Sequence, residues 1–140
     1  MVENTKRQRF VVDASFVLSY LFPDESENTV EEIFSAYEEG NVQLISTQLL
    51  PFEVMNGLKT AVKRKRYTKD EALALLKNFL AFPIEMKTVE FSQILVLAIE
   101  KDLSVYDAAY LFLTKEYGIK LLSLDKRLVQ LTDPIKPRKN

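Results

Sequence analysis

The apolar positions change period along the chain, and each change marks an element. Phe10, Val11 and Val12 are contiguous and apolar, which predicts a short buried strand ending on Asp13. Ser15 is expected to cap a helix through Leu21, which Pro23 stops. Val30, Ile33, Phe34 and Tyr37 recur at helical spacing and predict a helix over about 28–39, closed by Gly40. Val42 to Ser46 reads as a second strand. Pro51 suits the first turn of a helix carrying Val54, Met55, Leu58 and Val62. Thr68 caps a further helix with Ala72, Leu75, Leu76 and Phe79, and Pro83 closes it before a short strand over 84–86. Helical spacing returns over 90–101 and again from Val105 to Tyr117, where Gly118 is the C-cap. Lys120 to Ser123 predicts a strand, and Asp125 starts a short helix to about Leu131. The tail from Pro134 to Asn140 is expected to be loose or to add a strand.

Strands alternating with helices predict an α/β domain with a mostly parallel sheet. No linker, repeat or low-complexity stretch interrupts the sequence. One domain over 1–140 is therefore expected, its core spanning about 9–131, and 140 residues suffice for a core without covalent staples. Sites in such sheets form outside the carboxyl ends of the strands.

Composition then narrows the chemistry. The chain has no cysteine and no histidine. Disulfides, thiolate nucleophiles, Ser-His-Asp chemistry and zinc held by Cys or His are excluded. The three glycines, Gly40, Gly57 and Gly118, form no phosphate-binding loop. Metal chemistry would have to use oxygen ligands, which favour Mg²⁺ or Mn²⁺. Apolar runs are too short to cross a bilayer and the first ten residues are largely polar, so a soluble, cytoplasmic protein without a membrane partner is expected.

Four acids stand where a parallel sheet would gather them. Asp13 follows the first strand and Asp125 the last, while Glu53 and Asp107 lie in the first turns of two helices. Each has an ordinary structural explanation as a cap or a dipole partner. Together they point to a cation, because clustered carboxylates repel one another unless a positive charge lies between them.

The segments FVVDAS (10–15), EVMNGL (53–58), SVYDAAY (104–110) and LLSLDKRL (121–128) resemble, in order and spacing, the acidic motifs of PIN domains, closest to the compact VapC-type toxins. The resemblance covers nearly the whole chain. It implies a three-layer α/β/α fold, an endoribonuclease of a toxin–antitoxin pair, and one or two Mg²⁺ or Mn²⁺ ions held by Asp13, Glu53, Asp107 and Asp125. Ser15 and Ser123 match supporting polar positions. Some relatives carry a further acid after the last Asp, where this chain has Lys126 and Arg127. The expected reaction is in-line hydrolysis by metal-activated water, leaving a 5′-phosphate and a 3′-hydroxyl. The resemblance also implies an RNA substrate, a cognate antitoxin that blocks the acidic pocket with a basic side chain, and a homodimer.

The net charge is −1, so distribution matters more than the sum. Lys63, Arg64, Lys65 and Arg66, with Lys126 and Arg127, are the candidate RNA-binding cations; the first four serve equally as a solvated helix end. Tyr20, Tyr37, Tyr106 and Tyr110 could stack bases, although their helical spacing favours packing. Phe79, Phe82, Phe91 and Phe112 are expected in the core or at an interface. Two other classes stay open. One is a non-catalytic PIN-like module that binds RNA or protein. The other is a phosphoryl-transfer protein, against which stand Ser15 in place of a second Asp and the long helical stretch from Pro51 to Leu80.

Overall fold

A computed structural model describes residues 7–132; the tail after Pro134 lies outside them. Four strands, β1 (Gln8–Val12), β2 (Val42–Thr47), β3 (Glu85–Lys87) and β4 (Lys120–Leu122), form one sheet in the order β3-β2-β1-β4. All three pairings are parallel; Val11 lies opposite Ile45 on one side and Leu121 on the other. The helices are α1 (Ala14–Leu21), α2 (Asn28–Glu38), α3 (Leu50–Lys63), α4 (Lys69–Leu80), α5 (Phe91–Lys101), α6 (Val105–Tyr117) and α7 (Lys126–Thr132).

Strand alternation divides the core in two. Phe10, Val12, Val42 and Leu44 face α1 to α4, packing with Phe16, Val17, Phe34, Val54 and Phe79. Val11, Ile45 and Leu121 face the other way and meet Tyr110, Leu113 and Leu128 from α6 and α7. A smaller cluster joins α5 to α6 through Ile94, Ala98, Ala108 and Ala109. The result is a parallel sheet flanked by helices on both faces, as the sequence pattern predicts.

Several boundaries shift by a residue or two, and one cap is reassigned. Asp13, not Ser15, caps α1: its carboxylate accepts from the Phe16 backbone N–H at 3.1 Å. The strand ends so close to the helix that its terminal residue becomes the cap. Thr68 and Glu71 form the complete reciprocal capping box of α4. Gly57 brings α3 against α1, since a Cβ there would lie 2.4 Å from Leu18 Cδ1. Tyr20 and Tyr37 pack in an aromatic group around Phe34, with Tyr20 stacked on Phe34 at 4.1 Å between ring centres. Phe79 is buried, but Phe91 is 82% exposed and outside the core of this chain. Among the described residues no helix is long and apolar enough to cross a membrane.

Candidate active site

The chain leaves β1 at Asp13 and β4 at Ser123, and these strands are neighbours although nearly the whole chain separates them. Connections from β1 build the sheet one way through β2 and β3, and β4 then returns to the opposite side of β1. Their junction is the point where strand order reverses, the usual place for a site in an open parallel sheet.

Asp13 is 6% exposed. Its Oδ1 accepts from Ser15 Oγ at 2.7 Å as well as from the Phe16 N–H, and its Oδ2 accepts from Ser123 Oγ. Ser15 Oγ lies 3.3 Å from Ser123 Oγ and also accepts from the Leu124 N–H at 2.9 Å. Ser123 Oγ accepts from the Asp125 N–H at 3.0 Å. The two serines therefore knit the ends of β1 and β4 together around one carboxylate. Burial pushes the Asp13 carboxyl above its ordinary value; the hydroxyl and amide bonds oppose this, and the charge of Asp107 adds to it.

Glu53 enters from the first turn of α3, positioned by Pro51 at the helix start. Its Oε1 accepts from the Tyr110 hydroxyl at 2.5 Å. Burial raises its carboxyl, with smaller contributions from the charges of Asp13 and Asp107. Asp107 stands in the first turn of α6, where its backbone N–H donates to the N-cap Ser104 Oγ at 3.0 Å. Its carboxyl is raised by burial and then by the charge of Asp125, while Arg127 pulls it down. Asp125 is exposed and caps α7, accepting from the Leu128 N–H at 3.1 Å.

The four acids thus form one electrostatic group at the carboxyl edge of the sheet. Asp107 acts on Asp13, Glu53 feels both, and Asp125 acts on Asp107. All their donors are oxygen, which suits a hard divalent cation. Among the described residues, however, no three acidic groups stand together as a ready ion cage. Hydroxyls occupy the inner positions: Ser15 and Ser123 hold Asp13, and Tyr110 holds Glu53.

The candidate cations divide. Lys63, Arg64 and Lys65 are exposed at the far end of α3, about 15 Å along the helix from Glu53 at 1.5 Å per residue. Arg66 is engaged, pairing with Asp24 at 3.2 Å and Glu25 at 2.7 Å and lying over the rings of Phe22 and Tyr67. Arg127 reaches the Lys101 and Asp102 carbonyls at 3.4 and 3.5 Å, near enough to influence Asp107. Lys126 is exposed beside Asp125. Tyr106 is about half exposed, whereas Tyr110 is buried and bonded to Glu53. Sequence reasoning weighed Tyr110 only for stacking or packing. Its spacing of three from Asp107, which puts both on one helical face, was the available signal.

This fold and this ordered set of acids define a class. The PIN domain family model matches residues 10–133, and the chain belongs to the PIN-domain family. Ribonuclease VapC3 of Pyrobaculum aerophilum is 32% identical over 126 residues, covering 87% of this chain and 93% of that protein. Two crystal structures share the fold. PAE2754 from Pyrobaculum aerophilum superposes with a TM-score of 0.67 at 22% identity, covering 91% of this chain and 88% of the other. Mycobacterium tuberculosis VapC20, described as a sarcin-ricin loop cleaving toxin, gives 0.63 at 16% identity, covering 91% and 99%.

Proposed function

We propose that this protein is a metal-dependent endoribonuclease, the toxin of a toxin–antitoxin pair, which cleaves RNA with Mg²⁺ or Mn²⁺ held by Asp13, Glu53, Asp107 and Asp125. The observation that carries the proposal is the chain of mutual influence along the carboxyl edge of the sheet: Asp107 raises Asp13 and Glu53, and Asp125 raises Asp107, although the four acids come from separate segments. Such a group is costly without a cation and is found where function demands it. Similarity to Ribonuclease VapC3 supports RNA as the substrate, and the toxin role is what the resemblance of the four motifs to VapC-type toxins implies.

When bound, one or two hard divalent ions supply charge neutralisation and Lewis acidity at the reacting phosphate. The chain's residues do the rest. Ser15 and Ser123 orient the Asp13 carboxylate and keep it ionisable against burial. Glu53 and Asp107 face it from α3 and α6, so the ligands come from different rigid elements. Lys126 and Arg127 flank Asp125 on the outer side and contact the RNA backbone; Lys63, Arg64 and Lys65 extend that contact at a distance. In this reading water, not the 2′-hydroxyl, adds to phosphorus and the P–O3′ bond breaks, the 3′ oxygen taking up a proton, so that the products would carry 5′-phosphate and 3′-hydroxyl ends. A cognate antitoxin silences the site by placing a basic side chain among the carboxylates.

The test is cleavage of total RNA by wild type and Asp107→Asn, with Mg²⁺, Mn²⁺ or chelator, and ends mapped by 5′-phosphate-dependent ligation. Discrete metal-dependent cuts absent from the variant support the proposal. Equal cutting by both proteins would sink the role of Asp107. One observation favours a second reading, a PIN-like module that binds RNA or protein without cutting it: the acids as placed do not form a ready ion cage. RNA retained on the protein, uncut in every metal, would establish that alternative.

A further inference from the structure

We infer that Tyr110 is a positioning residue for Glu53: its phenol fixes one carboxylate oxygen so that the other is presented to the acidic pocket and the cation held there. The inference deepens the nuclease proposal and rests on it.

Tyr110 is 1% exposed and among the largest fully buried side chains. Its ring packs with Val11, Ile45, Leu113 and Leu121, so the hydroxyl is a fixed point rather than a mobile one. A phenylalanine would fill nearly the same space. The hydroxyl therefore contributes little to packing and needs a partner to offset its burial. That partner is Glu53 Oε1 at 2.5 Å, with the Thr47 hydroxyl beside the phenol from the end of β2. Among the described residues no donor reaches Glu53 Oε2.

Glutamate has three side-chain torsions, and holding its head still in one geometry costs rotamer entropy. A buried donor bears that cost before any ion arrives. The choice of donor matters as well. A lysine or arginine here would neutralise the carboxylate and compete with a cation, as an inhibitor would. A phenol orients the oxygen without bringing positive charge. Asp107 and Tyr110 lie three apart on α6, so one helix carries both an acid and the post that sets the acid of α3.

The test uses the metal-free full-length chain, with Mn²⁺ alone as probe. Binding is read by the electron paramagnetic resonance of free Mn²⁺ for wild type, Tyr110→Phe, Glu53→Gln and the double variant, with folding checked by circular dichroism. Tyr110→Phe is expected to bind Mn²⁺ about tenfold more weakly, in the range for groups that orient a ligand. In the Glu53→Gln background the same change should add nothing, since its target is gone. Wild-type affinity in Tyr110→Phe, with Glu53→Gln weakened, overturns this inference and leaves the nuclease proposal standing. Equal weakening in both backgrounds also overturns it, by revealing a general structural role. Wild-type affinity in Glu53→Gln removes Glu53 from the ion site, and the inference falls with that part of the proposal.

Discussion

Asp13 uses one carboxylate for two purposes. It caps α1 through the Phe16 N–H, and it sets a buried carboxylate at the junction of β1 and β4. An asparagine would still cap, since both side chains accept from the helix start. Asp107 contacts the N-cap Ser104 both through its backbone N–H and through its side chain, and an asparagine keeps a side-chain oxygen able to accept from that hydroxyl. Asp107→Asn is therefore expected to fold normally and to lose most nuclease activity. Mg²⁺ should raise the melting temperature of wild type and raise that of the variant less. Protonation gives a further check. The Asp13, Glu53 and Asp107 carboxyls are raised above their ordinary values of 3.8, 4.5 and 3.8, so the folded chain binds more protons than the unfolded one. Their contribution is most favourable at or below those ordinary values and is lost as pH rises through the raised ones. Without metal, these groups should therefore raise the melting temperature as pH falls toward their ordinary values. The climb should be smaller in Asp107→Asn and smaller again with saturating Mg²⁺. A flat profile in chelator would contradict the raised values.

At the scale of elements, local chemistry decides how α1, α3, α4 and α5 sit. Thr68→Ala should cost about 1 kcal/mol, the usual worth of a threonine cap, measured by urea unfolding. Gly57→Val should cost about 1–3 kcal/mol by pushing its side chain into Leu18, where α1 and α3 meet. Near-wild-type stability in Gly57→Val would mean that Leu18 yields freely. On α5, Phe91, Leu95 and Ile99 recur at intervals of four and stand exposed. This apolar stripe supports a homodimer, so Phe91→Lys should lower the mass seen by light scattering from dimer to monomer. A monomeric wild type would remove that expectation. The elements were legible because their periodicities are strong and their caps standard: Thr68, Gly118 and Asp125 stand where sequence placed them. Ser15 misled because serine and aspartate cap equally well, and only backbone geometry chooses between them. Tyr110 reads as core in one dimension because a phenol's partner lies across the fold. The ion pairs of Arg66 were not legible because Asp24 and Glu25, its partners, are remote in sequence.

For the whole molecule, the layered core is the main source of stability. Phe34→Ala should cost about 3–5 kcal/mol, since that ring is buried against Phe16, Tyr20 and Phe82. The parallel α/β architecture was readable from alternating elements, and the site edge followed from it. Strand order was not, because nothing in the period of a strand names its neighbour. That order has a consequence in time. Of the four described strands β1 is made first, yet one of its two edges waits for β4, the last of them. Until Lys120–Leu122 pairs with Phe10–Val12, Asp13 has no Ser123 and Asp125 has no place beside Asp107. Under the proposed nuclease function, a nascent chain is expected to cut no RNA until residues 120–125 have emerged and taken their places beside β1. Chains stalled before Lys120 should show no cleavage even where the segments already made have folded, and release of the full chain should switch cleavage on.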